Sequence, residues 1–206
     1  MHRISNQSLK KNNMEDKILN EKESLELISK MIQNSQQKIK AGNGVTFLIF
    51  GYTTLLISVI VYYLLRTTEN NWYNLIWLGI PVIGFVLLYF MKKKEQKYSK
   101  TYIDRVINQI WTVIVVALFF VSFLAGIFRF PVLAILILLL GIATTLTGLI
   151  IKFKPLVIGG VLGMISFVLP FILNGYEQVL IYGICVFVMM VIPGHILNYK
   201  GRKANV

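Results

Sequence analysis

Side chains suited to chemistry are scarce in this chain of 206 residues, which holds one cysteine and two histidines. A lone thiol, Cys185, closes no disulfide within its own chain, so cysteine usage says nothing about redox compartment. His2 and His195 are far apart in sequence and leave almost nothing from which to build a soft-metal site. Charge is scarce too: 15% of the residues are charged, against about 25% in a soluble domain. Hydrophobic residues make up 56%, and the mean hydropathy is +0.67. A water-soluble fold of this composition lacks the polar groups to cover its surface.

The long apolar runs are free of formal charge altogether. Six of them, at about 45–65, 72–91, 106–128, 131–151, 155–174 and 178–199, contain no Asp, Glu, Lys or Arg. A hydrocarbon core about 30 Å thick is crossed by roughly 20 helical residues. In lipid every backbone N–H and C=O must find its partner inside the element, so each run is predicted to be a transmembrane helix. Strand alternation is missing: "VLAILILLLGIA" is apolar on every face. The missing charges also exclude functions. Pumps and proton-coupled carriers need buried Asp, Glu or His relays, and intramembrane metalloproteases need clustered ligands. Ser58, Ser122 and Ser166 have no His or Lys at depth to act as a base. Neither a phosphate-binding glycine loop nor a GxSxG elbow occurs. The chain is expected to have no enzymatic activity and no cofactor.

What the chain does have is positive charge, a formal +12, and it is unevenly placed. The N-terminal segment, the loop 92–105, the joint 152–154 and the C-terminal tail together carry 19 Lys and Arg. The three other joints carry two, Arg66 and Arg129. Short basic loops stay in the cytoplasm, so both termini are predicted to be cytoplasmic, with three tight hairpins facing out. The cluster Lys92, Lys93, Lys94, Lys97 and Lys100 reads as a topology anchor on anionic headgroups. Nucleic-acid binding would call for interleaved aromatics or a known module, and neither is present.

The first 43 residues do not read as a cleavable signal peptide, because the apolar run begins only at Val45, and the first span is expected to be a retained anchor. Residues 1–19 are expected to be a disordered cytoplasmic N-terminus, and 20–41 a cytoplasmic amphipathic helix. There Asn20 with Glu23 resembles a capping box, and Leu25, Ile28, Met31, Ile32 and Ile39 form one stripe. That stripe has three uses open to it: the membrane surface, the bundle or the basic loop, and a second copy or partner. "AGNG" at 41–44 predicts a break before the membrane domain, 45–199, and 200–206 reads as a cytoplasmic tail. A weak threefold pattern of hairpins ending in "YFMKKK", "LIIKFK" and "LNYKGRK" also follows from any even-numbered return to the basic side.

Polar residues at depth are the remaining candidates. Thr144, Thr145 and Thr147 with Gly141 and Gly148 form one patch, and Thr53, Thr54 and Ser58 a second. Such residues serve close helix packing or line a path for a small solute. Gly159-x-x-x-Gly163 suits close helix contact, self-association included. Pro170 and Asn174 mark either a tolerated kink or an opening toward a cavity. His195, in "IPGHILNYK", is the best single candidate, either as a sensor or ligand group or as an interfacial hydrogen-bonding residue. Its approach to Asp104 or Glu95 would be the one route to a titratable cluster. Trp72, Tyr73, Trp77, Tyr176 and Tyr182 are expected at one interface, and Tyr89, Tyr102, Trp111 and Tyr199 at the other.

The segments "ESLELISKMI", "KTYIDRV", "KFKPLVIGG" and "IPGHILNYK" resemble small six-span bacterial inner-membrane proteins that carry no assigned activity, over about residues 23–200. The resemblance implies a compact inner-membrane bundle and transfers no functional residue. The fold expected is therefore all-α, six spans behind a cytoplasmic amphipathic helix. The function expected is structural, accessory or regulatory interaction, through residues 20–41 or Gly159/Gly163 and with anionic lipid. The alternative is a small carrier or channel for a neutral or apolar solute.

Overall fold

The computed structural model describes residues 21–68, 70–92, 102–128, 130–173 and 175–203. All regular structure among them is helical. Six helices are long and apolar enough to cross a membrane: Gly44–Thr68, Trp72–Met91, Tyr102–Ile127, Val132–Ile150, Lys154–Ile172 and Glu177–Lys200. The chain is thus an all-helical, multi-pass membrane protein by length and composition. It divides into two units, Met1–Gln36 and Gln37–Val206. In the first, Leu25 of the expected apolar stripe is exposed; the side chains of Ile28, Met31 and Ile32 lie outside the described set, as does that of Ile39 in the second unit.

The first span belongs to the helix Glu21–Thr68, which runs through 41–44, where the sequence predicts a break. The reason lies in packing. Gly44 abuts the backbone of the sixth span: an added methyl there would lie 2.9 Å from the Asn198 nitrogen and 3.2 Å from the Gly194 oxygen. A close helix–helix approach fixes a glycine that would otherwise favour a break.

The second unit is built on antiparallel neighbours. Gly51 meets Val191 and Ser58 meets Gly183, so spans one and six touch along a line of small residues seven apart. Gly141 and Gly148 of span four meet Met164 and Val157 of span five, and Gly160 answers from span five against Thr145. Gly159 and Gly163 press on Met189 of span six. Span six is the most buried of the six helices, with Val186, Met189, Val191 and Leu197 fully enclosed. Spans two and three are the most exposed. Span two sits on span one through Gly84 against Phe50. Span three joins the core through Ile107, Ile114 and an edge contact between Trp111 and Phe47.

These contacts gather one pole of the unit. The start of span one lies against the end of span six, and Lys200 Nζ stands 5.6 Å over the Phe153 ring in the joint between spans four and five. The start of span three reaches the same end through Trp111. Arg105, Lys152, Lys154 and Lys200 therefore belong to a single end of this unit, and Arg66, in the last turn of the first span, to the other.

Three helices depart from regular α geometry. Span two opens with a 3₁₀ segment, Asn71–Leu78, capped by Asn70 Oδ1, which accepts the Trp72 N–H at 3.0 Å. Span five is interrupted between Ser166 and Leu169, just where Pro170 has no N–H to return to the Ser166 carbonyl. Span six contains a π turn, Phe187–Val191, ahead of Pro193. Pro193 withholds the donor that Met189 would accept, and the Met189 carbonyl lies against Gly159 instead.

Candidate functional site

The polar side chains at depth bond mostly to their own helices. Thr144 Oγ1 donates to the Leu140 carbonyl (2.8 Å), Thr145 Oγ1 to Gly141 (2.8 Å) and Thr147 Oγ1 to Ala143 (2.7 Å). Thr144 and Thr147 are fully enclosed. Thr147 Oγ1 also accepts the indole N–H of Trp111 at 3.1 Å, tying span three to span four. In the second patch Ser58 Oγ donates to the Thr54 carbonyl (2.8 Å) and rests against Gly183. Hydroxyls bonded this way satisfy themselves and leave a small surface on which another helix can lie close.

His195 lies elsewhere, on the exposed surface between spans one and six. Its Nε2 is 2.7 Å from the Tyr52 hydroxyl, and the two rings meet edge to face with centroids 5.8 Å apart. Tyr52 also stacks edge-on with Phe187, at the π turn, at 6.3 Å. The sequence offers His195 as an interfacial hydrogen-bonding residue without indicating its partner, Tyr52, 143 residues away. The available signal was a tyrosine eight residues inside the first span, away from both aromatic belts.

Tyr52 also lines a groove of about 420 Å³ between spans one and two, whose walls include Leu48, Leu56, Ile60, Ile83 and Leu87. Its wall is apolar almost throughout.

The remaining predicted positions are quickly placed. Gly159 and Gly163 are buried against span six, where Met189 lies against both and Pro193 against Gly159. Pro170 is buried beside the interruption in span five. Asn174, Glu95, Lys93, Lys94, Lys97 and Lys100 lie outside the described residues, and Lys92 ends the helix of span two. Asp104 is in the first turn of span three, where the helix dipole favours an anion. Two of the aromatics expected at the interfaces turn toward other helices. Tyr182 is buried, edge-on to Trp77 at 5.3 Å, and Trp111 turns inward to Thr147. Trp72, Tyr89, Tyr102 and Tyr199 are exposed. Among the described residues no group of three or more His, Cys, Asp or Glu forms a metal-binding cluster.

Lys152 carries the one positive φ (52°) outside glycine among the described residues. The Phe153 N–H donates to the Gly148 carbonyl at 2.8 Å, and the Lys152 N–H to Leu149 at 3.1 Å. This is a Schellman closure with lysine where glycine is usual. It turns the chain tightly enough to lay span five along span four.

Comparison with known proteins adds no relative: no protein-family model, curated protein or solved structure matches the chain.

Proposed function

We propose that the chain is a non-enzymatic integral protein of a bacterial inner membrane, with both termini cytoplasmic, that acts as a structural, accessory or regulatory interaction partner. The observation that carries this reading is the way polar groups are used at depth. The Thr144, Thr145, Thr147 and Ser58 hydroxyls donate to carbonyls of their own helices, and the interhelical seams are closed by glycine. A bundle packed in this manner supports scaffolding better than passage of a solute. The 19-to-2 distribution of Lys and Arg supports the orientation. The cytoplasmic amphipathic stretch, 20–41, is the proposed contact for a protein partner.

The test compares the full chain with a chain lacking residues 1–40, each captured from native membranes. A defined set of co-purifying proteins is expected with the full chain and lost with the truncated one, while the membrane unit still migrates as a folded species. Identical captures would overturn the reading. A second reading, a carrier for a neutral solute, draws support from the interrupted span five and the π turn of span six, since carriers place discontinuous helices near the bilayer midplane. Solute flux into vesicles holding the purified chain would favour it over the first.

A further inference from the structure

Three lysines meet at the joint between spans four and five, and one of them stands where glycine would suit the backbone better. Lys152 holds φ at 52° in the Schellman closure, a conformation that glycine adopts without steric cost. Its side chain is exposed and has no hydrogen bond or ion pair among the described residues. Strained positions of this kind cluster where a side chain has a function.

Lys154, two residues on, is exposed as well, and the two Cα atoms lie at most about 7 Å apart. Phe153 between them is buried. From the end of span six, Lys200 lays its Nζ 5.6 Å over the Phe153 ring, a cation–π contact that fixes the ammonium beside the joint. The ring face takes up one side of that ammonium and leaves N–H donors for a further acceptor. Side chains bearing three positive charges, from two elements, thus surround one ring. No described carboxylate pairs with any of them, and Glu177 lies at the far end of span six. Like charges gathered in this way repel one another unless an anion sits among them. The depth is that of a headgroup. Span four ends at Ile150 and span five begins at Lys154, so the joint lies where hydrocarbon gives way to phosphate.

We infer that the joint 151–154, together with Lys200, is a binding site for the phosphate of one anionic phospholipid. Lys152 and Lys154 donate to phosphate oxygens from the two sides of Phe153, and Lys200, held by the ring, donates from span six. Selectivity follows from charge: three ammonium groups attract an anionic headgroup, whereas a choline headgroup brings a cation of its own. Lys152 lowers the stability of the turn and supplies a donor that glycine lacks.

The experiment uses the full chain, purified and placed in phosphatidylcholine vesicles with a trace of phosphatidylglycerol bearing a photoreactive group beside its phosphate. After illumination, labelled peptides are located by mass spectrometry. Labelling of residues 150–156 and 196–200 is expected to exceed that of 102–108, which begin span three at the same end. Lys152→Gly, Lys154→Gln and Lys200→Gln each lower the yield about fivefold, the factor given by about 1 kcal/mol per basic residue near the surface. Arg105→Gln removes a charge from the same end but outside the joint, and leaves the yield unchanged. Lys152→Gly separates binding from folding, because it is expected to resist unfolding better than the parent chain while holding the lipid less well. Glycerol phosphate, the same chemistry without acyl chains, does not compete. Labelling spread evenly over the basic end, Arg105→Gln as damaging as the joint variants, an undiminished yield in Lys152→Gly, or displacement of the lipid by glycerol phosphate would each overturn the inference.

Discussion

Replacing Gly148 with alanine tests whether glycine seams hold the bundle together. A methyl at Gly148 would lie 2.7 Å from the Val157 nitrogen and 3.1 Å from the Leu156 carbonyl carbon. Both are backbone atoms, so no side-chain rotation makes room. Restoring a contact of about 3.5 Å requires spans four and five to part by about 0.8 Å. Overpacking of this kind costs about 1–3 kcal/mol. Gly126 is the internal control, since a methyl added there meets nothing within 4 Å. Both glycines lie in the last turn of their helices, so the intrinsic preference for alanine over glycine, at most about 1 kcal/mol, nearly cancels between them. Gly148→Ala is therefore expected to be less stable than Gly126→Ala by about 1–3 kcal/mol, a factor of roughly 5–150 in the folded-to-unfolded ratio. Unfolding in mixed micelles of rising sodium dodecyl sulfate content, followed by tryptophan fluorescence, measures both. Two variants equal within about 0.5 kcal/mol would refute the view that backbone contact between these spans supplies stability, because helices in lipid have little else to draw them together.

Other perturbations follow from the same contacts. Lys152→Gly relieves a left-handed backbone conformation at the Schellman closure and is expected to stabilise the chain by about 1 kcal/mol in the same unfolding assay, whereas Lys152→Val destabilises it. Trp111→Phe removes the 3.1 Å indole bond to Thr147 and is expected to cost about 0.6–1.7 kcal/mol, the range for interhelical hydrogen bonds in membranes; no change would mean that span three is held by shape alone. Single cysteines at Lys152 and Lys200, in a Cys185→Ser background, are expected to react with an impermeant thiol reagent from one face of sealed membranes only, and a cysteine at Arg66 from the other face. Labelling of Lys152 and Lys200 from opposite faces would undo the membrane topology.

The class of protein was legible from composition, but its contacts were not. Six runs without charge predict six crossing helices, and the structure has six within a few residues of the expected ends. The glycines at 41–44 were misread because a glycine looks the same in a break and in a tight helix contact; only Asn198 and Gly194 opposite Gly44 tell the two apart. Gly159 and Gly163 were likewise readable as a close-contact stripe without any indication of the partner, which is Met189 of the same chain. Tyr182 and Trp111 were assigned to the membrane interfaces from their position along the helix, while their azimuth turns them inward. Tyr52 went unnoticed because nothing in its neighbourhood along the chain announces His195.

Segment composition alone dictates that the chain lives in lipid, how often it crosses and which loops share a side. The physical reason is that partition into hydrocarbon and backbone satisfaction are properties of each helix taken singly, and the positive-inside bias is a property of each loop. Tertiary structure alone decides that spans two and three lie outermost, that span six is central, that glycine seams join one to six and four to five, and that Tyr52 meets His195. Lipid is as apolar as leucine, so an inward and an outward face carry the same residues and no periodicity marks them; shape and single hydrogen bonds choose the neighbours.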